Sequence, residues 1–362
     1  MNIKKYPYID SLRGIAILAV LLVHSAQAAM PVSSSLNWFM QNGARGVQLF
    51  FITSAITLSM SWGERVGSER FTKVDFYLRR FFRIAPMFYV AILIYLFLDG
   101  YGERYWAPNG IEGWMIIATF SFLHGLHPES INSVVPGGWS IAVEMMFYAL
   151  FPFIITKAKN MGAVTILFIA SLVFMKNNFG IASTIFSYPE SQKYLLSDFS
   201  FLNFLNQLPV FLIGIFTYMY MKKGVDKSAF YFIGGWLFIA LCLDYRAPTF
   251  VSSFLSSHVV ASILFAIFAI FLSVCPLKIF VNFVTVYLGK VSYSMYLLQF
   301  AVLQLFGSLG VSNALSNSNI GSGIHFLLLV LVTALIASLS FRIIEKPGIR
   351  LGEWVISKIN RV

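Results

Sequence analysis

The sequence predicts an all-α integral membrane protein, a bundle of about ten transmembrane helices with both termini cytoplasmic. Three observations carry that prediction. Of 362 residues, 58% are hydrophobic and only 11% are charged, against roughly 25% charged in an ordinary soluble domain. The apolar residues fall into windows near the ~20 residues that a bilayer-spanning helix needs. The Lys and Arg residues divide unevenly between the two sides that those windows define. With 37 Phe, 17 Tyr and 7 Trp, the chain carries more apolar surface than a soluble core of this length hides.

In order, the windows fall at 9–30, 44–61, 76–98, 138–156, 161–176, 201–221, 229–244, 254–275, 286–308 and 323–343. Those starting at 161 and 229 are short. The segment 111–124 reads as a short amphipathic or re-entrant helix. Ten crossings return the chain to its starting side. With the N-terminus inside, twenty cationic residues lie inside, and six of them cluster between Arg65 and Arg83. Five lie outside (Arg45, Arg104, Lys176, Lys193, Arg246), and Arg13 falls within the first span. The net charge of +11 is therefore a topology signal rather than a nucleic-acid footprint. Cys242 and Cys275 lie in apolar stretches and form no disulfide or metal framework, and no metal is expected. Lys4, Lys5, the apolar run 15–23 and "AQA" at 26–28 imitate a secretory signal, whose cleavage would remove Arg13 and His24. With no internal repeat, residues 1–362 read as one transmembrane domain without an appended soluble domain. The outside segment 99–137 holds Gly, Pro, Trp and two His, which suits a structured loop facing a polar ligand.

Four stretches place polar groups inside the spans. "YPYIDSLRGIAILAVLLVHSAQ" carries Asp10, Arg13 and His24. Eleven residues turn a helix to within about 20° of three full turns, so Arg13 and His24 share a face about 16 Å apart along the axis. An arginine at mid-span costs about 2.5–3.5 kcal/mol on insertion scales; snorkelling with a hydrogen-bonded core histidine is the structural alternative to function. "DFYLRRFFRIAPMFYV" (75–90) sets Arg79, Arg80 and Arg83 on one helical surface. Guanidinium groups at that spacing suit a phosphorylated ligand or lipid headgroups. "GGWSIAVEMMFYALFP" (137–152) puts Glu144 at the depth of His24. That makes the two a candidate pair, for catalysis or for structure. In "VYLGKVSYSMYLLQFAV" (286–302), Tyr293, Tyr296 and Gln299 line one flank, as a ligand wall or as interhelical hydrogen bonds.

Together these stretches resemble membrane-bound acyltransferase family 3, which includes O-antigen, exopolysaccharide and peptidoglycan O-acetyltransferases. "IDSLRGIAILAVLLVH" resembles the opening motif, with Arg13 and His24 in its arginine–ten residues–histidine spacing. "GVQLFFITSAI" (46–56), "YLRRFFRIAP", "WSIAVEMMFY", "LGKVSYSMYLLQ" and "FRIIEKP" (341–347) resemble later motifs in the family's order. The chain departs from the pattern at Gln48, Ala55 and Gln299, which stand where the family often has an acid, a Gly and a His. Gln299 leaves His24 as the main candidate base.

The resemblance implies transfer of an acetyl group from cytoplasmic acetyl-CoA to a hydroxyl of a lipid-linked or polymeric glycan at a bacterial inner membrane. It sets Arg79, Arg80, Arg83 and Tyr293 at the donor, His24, Glu144 and Arg13 in catalysis, and Asp10, Trp139, Ser140 and Gln299 near the acceptor. Membrane lipids are the other expected partners, and a dimer is compatible with such a bundle. The competing classes are a transporter or flippase for a lipid-linked glycan, and a glycan polymerase. The prolines at 86, 152 and 209 do not repeat between halves as broken-helix transporters would have them.

Overall fold

The first apolar window folds as α1, Pro7–Ala28. Pro7 opens it at a position where a missing N–H is no loss, and Asp10 occupies the first turn, where the helix dipole favours a carboxylate. The computed structural model describes residues 6–67, 69–225 and 255–360, nearly all of them helical. Among the described residues the only β pairing is an isolated bridge between Arg104 and Ala107.

After α1 come α2 (Ser34–Gln41), α3 (Gly46–Arg65), α4 (Thr72–Asp99), the short α5 (Gly113–Phe120), α6 (Gly138–Lys157) and α7 (Met161–Ile185). Then follow α8 (Tyr194–Leu202), α9 (Phe204–Lys223), α10 (Ser257–Val274), α11 (Phe283–Ser308), α12 (Val311–Leu315), α13 (Asn319–Ser340) and α14 (Lys346–Ile359). Among the described residues, seven stretches are long and apolar enough to cross a membrane: α1, α4, α6, α7, α10, the α8–α9 run from Glu190, and the α13–α14 run. Two further long helices, α3 and α11, have 20 and 26 residues. Both turn hydroxyl and amide groups inward, with Gln48, Thr53, Ser54 and Ser59 buried on α3 and Ser292, Ser294 and Gln299 on α11.

The sequence windows need two corrections. The short window at 161–176 extends to Ile185, opened by an Asn160 side chain that accepts from the Ala163 amide. The window at 201–221 is interrupted at Asn203, whose side chain leaves the α8 register to cap Leu205 and Asn206 at the start of α9. The window at 229–244 lies outside the described residues.

The centre of the fold is the crossing of α1 and α11. A Cβ at Gly14 would meet the Thr285 carbonyl oxygen at 2.0 Å, and one at Gly289 would meet that of Asp10 at 1.7 Å. Only glycine lets the two backbones approach so closely, and small residues serve this purpose wherever membrane helices associate. A capping box between Asn282 and Thr285 starts α11 at this point, and the Thr285 hydroxyl also bonds Ser11 Oγ at 3.1 Å. At the opposite end, the Asn317 amide donates to the Met30 carbonyl at 2.9 Å and Ser322 Oγ to that of Ala29 at 2.7 Å.

Gly289→Ala is expected to destabilise the protein by about 1–3 kcal/mol, the usual range for overpacking. Gly307→Ala, on the same helix with open space at its Cβ position, is expected to be neutral or stabilising. Thermal unfolding of both variants in detergent checks the contrast; equal losses would contradict the crossing.

Candidate functional site

Three arginines meet in one cavity of about 70 Å³ inside the bundle. Arg13 comes from α1, and Arg80 and Arg83 from α4. Opposite them stand Ser54 of α3, Ser140, Glu144 and Tyr148 of α6, and Ser292, Tyr293 and Tyr296 of α11. The walls between are apolar, from Val47, Phe50, Phe51, Ile84 and Ile141.

Each charge is held differently. Arg13 donates to Thr57 Oγ1 at 3.0 Å and lies 3.9 Å from Asp10. The Arg80 guanidinium lies 5.9 Å from the centres of both the Phe76 and Tyr148 rings, and its Nε is buried without a partner. Arg83 makes no hydrogen bond or ion pair among the described residues; it feels the charges of Arg13 and of Glu345. Glu144 accepts from Ser54 Oγ at 2.6 Å and from the Tyr148 hydroxyl. Three guanidinium groups and one carboxylate thus line the space. In a low-dielectric bundle such an excess of positive charge is costly without an anion to meet it.

The far lip of the cavity is neutral. Tyr296 Oη donates to the Gly137 carbonyl at 2.9 Å and accepts from Ser140 Oγ at 2.8 Å. Gly137 takes φ 79°, a left-handed conformation that glycine adopts without strain, and a Cβ there would press on Tyr296 Oη and Phe300 at 3.1 and 3.3 Å. Tyr293 Oη donates to the Ile84 carbonyl at 2.8 Å and ties α11 to the arginine turn of α4.

The cavity therefore gathers seven of the residues singled out in the sequence: Arg13, Arg80, Arg83, Ser140, Glu144, Tyr293 and Tyr296. It leaves the others aside. Arg79 is turned away and bonds both oxygens of Glu69, at 2.9 and 2.8 Å. Asp10 stays beside Arg13, 3.9 Å away, and does not line the cavity. Trp139 packs edge-on against Phe51, centroids 6.1 Å apart. Gln299 is fully buried, its Nε2 bonding the Tyr296 carbonyl at 3.1 Å and its Oε1 without a partner.

The expected contact of His24 with Glu144 does not form. Equal depth fixed their height along the bundle but not their direction, and Ser54 and Tyr148 take the carboxylate. His24 instead holds Gln27, one turn further on, with Nδ1 2.9 Å from Oε1. With that amide oxygen as acceptor, Nδ1 is the donor, the tautomer of the neutral ring in which Nε2 carries the lone pair. The ring lies 4.6 Å from that of Phe300, which borders Gly137 at the lip.

Ser54, Ser292, Tyr148 and Glu345 escaped the sequence reading. Tyr148, one turn after Glu144, is the carboxylate's neighbour by i,i+4 spacing, a signal present in the motif. Glu345 lay in the closing motif, but its position depends on a π-helical turn at Phe341–Glu345. This turn lets α14 dock on α4, with Gly348 against Pro86 and Gly352 against Phe82. Glu345 is 3% exposed and accepts from Ser294 Oγ.

A helical bundle with buried cations around an internal cavity defines a membrane protein with a cationic site in its interior. The chain belongs to the acyltransferase family: the model of its acyltransferase domain matches residues 6–342. It is 24% identical over 382 residues to O-acetyltransferase OatA of Staphylococcus aureus strain NCTC 8325 / PS 47, covering 94% of this chain and 57% of that protein. Putative O-acetyltransferases of strains MRSA252 and COL are each 25% identical, over 98% and 96% of this chain and 59% and 58% of theirs. The chain thus spans under three fifths of the length of these curated relatives. No solved structure matches it.

Glu144→Leu strands the Tyr148 and Ser54 hydroxyls, and is expected to destabilise the protein by about 1–3 kcal/mol. Glu144→Gln keeps an accepting oxygen and is expected to lose less. Melting of the two variants in detergent decides; equal losses would show that the hydrogen bonds are not what holds Glu144.

Proposed function

We propose that the protein is a bacterial inner-membrane O-acyltransferase that moves an acetyl group from cytoplasmic acetyl-CoA to a hydroxyl of a cell-surface carbohydrate such as O-antigen or exopolysaccharide. The observation that carries this reading is the cavity lined by Arg13, Arg80 and Arg83 with one opposing carboxylate. A CoA thioester is anionic at one end and reactive at the other. Arginine binds phosphate in bidentate fashion, and Arg80 and Arg83 have donors to spare. Ten crossings with both termini cytoplasmic, supported by the Lys and Arg distribution, put these arginines towards the cytoplasm and Ser140 towards the outside.

The chemistry follows from the residues. Arg80 and Arg83 hold the donor's phosphates, and Arg13, deeper in, steadies the charge that develops as the thioester is attacked. His24, about 16 Å further along α1, is the general base. Its free Nε2 takes the proton as the sugar oxygen attacks the carbonyl carbon, and returns it to the departing thiolate. Gln27 orients the imidazole without charging it, a weaker assistance than a carboxylate would give. Ser140 and Tyr296 offer hydroxyls to the acceptor.

Transfer of label from acetyl-CoA to glycan, in membranes with matched expression, tests the assignment. Arg83→Ala and Arg80→Ala are expected to raise the donor KM by about tenfold or more, one lost charge-assisted contact each. Arg79→Ala, already satisfied by Glu69, is expected to change it little. His24→Ala is expected to lower kcat by about 10²-fold or more, and Gln27→Ala to lower kcat with KM unchanged. Undiminished transfer in His24→Ala would refute the base, and no transfer to any glycan by the wild type would refute the activity.

A further inference from the structure

The segments that close the outer end of the bundle carry an aromatic surface that the donor site does not use. It begins where Arg104 fixes the chain leaving α4, donating to the carbonyls of Gly100 at 2.7 Å and of Asp99 and Ser133 at 3.2 Å. The next residue, Tyr105, is 56% exposed. Its ring lies 4.7 Å from that of Tyr194. The two are locked reciprocally: Tyr105 Oη donates to Asp198 at 2.5 Å, and Tyr194 Oη donates to the Tyr105 carbonyl at 2.9 Å. Burial is not what fixes these rings.

From Tyr105 the aromatic surface runs inward. Trp106 lies edge-on to it, centroids 5.4 Å apart. Trp106 and Trp139 pack on one small core of Ile131, Ala182, Leu196 and Phe199, and Trp139 touches Phe51 of the cavity wall. Tyr194, Tyr105, Trp106 and Trp139 therefore form a ribbon from the outer surface to the residue before Ser140.

The charges beside the ribbon identify what it takes. Segments 100–137 and 186–198 contain Glu103, Glu112, Glu129, Glu190 and Asp198 against Arg104 and Lys193. Arg104 is spent on carbonyls, and Lys193 pairs with Glu190 at 2.5 Å. Rings resting in a bilayer interface beside anionic headgroups would be flanked by cations; here Tyr105 is bonded to Asp198, and acids outnumber Lys and Arg five to two in the two segments. Acids and carbonyls accept hydrogen bonds from hydroxyls, while the electron-rich faces of aromatic rings attract the polarised C–H groups of a pyranose face. An anionic sugar would be repelled.

We propose that the Tyr194–Tyr105–Trp106–Trp139 ribbon is a binding track for uncharged sugar residues, which leads the acceptor glycan to the Ser140 end of the cavity. The proposal rests on the acyltransferase reading for its purpose, but sugar binding itself is measurable without any acyl donor.

The test is binding of maltotriose, chitotriose and trigalacturonic acid to the full-length protein in detergent, followed by tryptophan fluorescence and by saturation-transfer NMR. The wild type is expected to bind at least one neutral trisaccharide and to bind the acidic one at least tenfold more weakly. Tyr105→Leu, which keeps apolar bulk but removes the ring face, is expected to weaken binding at least tenfold, and Tyr105→Phe to stay within threefold. Tyr101→Ala, an exposed tyrosine outside the ribbon (60% exposed), is expected to bind as the wild type does. Binding undiminished in Tyr105→Leu overturns the track, as do preference for the acidic trisaccharide and failure of the wild type to bind either neutral one. A ribbon that instead associates with phosphatidylglycerol vesicles, and loses this in Tyr105→Leu, is a lipid anchor, which also overturns it. Acetyl transfer intact with an unaltered acceptor KM in Tyr105→Leu would refute the track and spare the activity. Sugar binding without any transfer would refute the activity and spare the track.

Discussion

Everything in this bundle has to accommodate three guanidinium groups drawn into an apolar interior. Arg13, Arg80 and Arg83 cannot shed their charge as a lysine or a carboxylate can, so the surroundings must answer it. They do so in part. Thr57, Asp10 and the Tyr148 ring attend to the first two arginines, and Glu345 stands within electrostatic reach of the third. What is left over is directional hydrogen-bonding capacity facing a cavity. On the proposed reading an anion completes this site, and phosphate is the anion whose geometry matches the guanidinium fork.

The helices are arranged around that deficit. The glycine crossing of α1 and α11 sets Arg13 against the face that bears Ser292 and Tyr293, and the Tyr293 bond to Ile84 fixes α4 at the same level. The docking of α14 on Phe82 and Pro86 accompanies a Glu345 that is buried against Ser294 of α11. The two ends of the cavity differ in kind as a result. One end is cationic and the other is a neutral set of hydroxyls at Ser140 and Tyr296, a polarity suited to a ligand with a charged tail and an uncharged reactive tip.

Much of this was legible in the sequence because intramembrane charges are rare and helical spacing gives their heights. Arg13, Arg80, Arg83 and Glu144 emerged from spacing alone and share one cavity. Spacing failed where azimuth or a distant segment decides. Arg79 belongs to the same helical surface as Arg83, yet Glu69 in the preceding connection captures it. His24 and Glu144 match in depth but face different partners. The interruption at Asn203 was hidden inside a continuous apolar window, since one asparagine barely lowers its hydropathy. Glu345 depended on a π-helical turn that no periodicity announces.

The most direct test of the central claim is ligand-induced stabilisation of the purified full-length protein, comparing CoA with pantetheine, which has the same thiol arm but no phosphates. If the arginine cluster holds phosphate, CoA at about 100 times its Kd stabilises the fold by about 2.7 kcal/mol, and pantetheine at the same concentration stabilises it little. Equal stabilisation by the two ligands, or none by CoA at any concentration, would contradict the account.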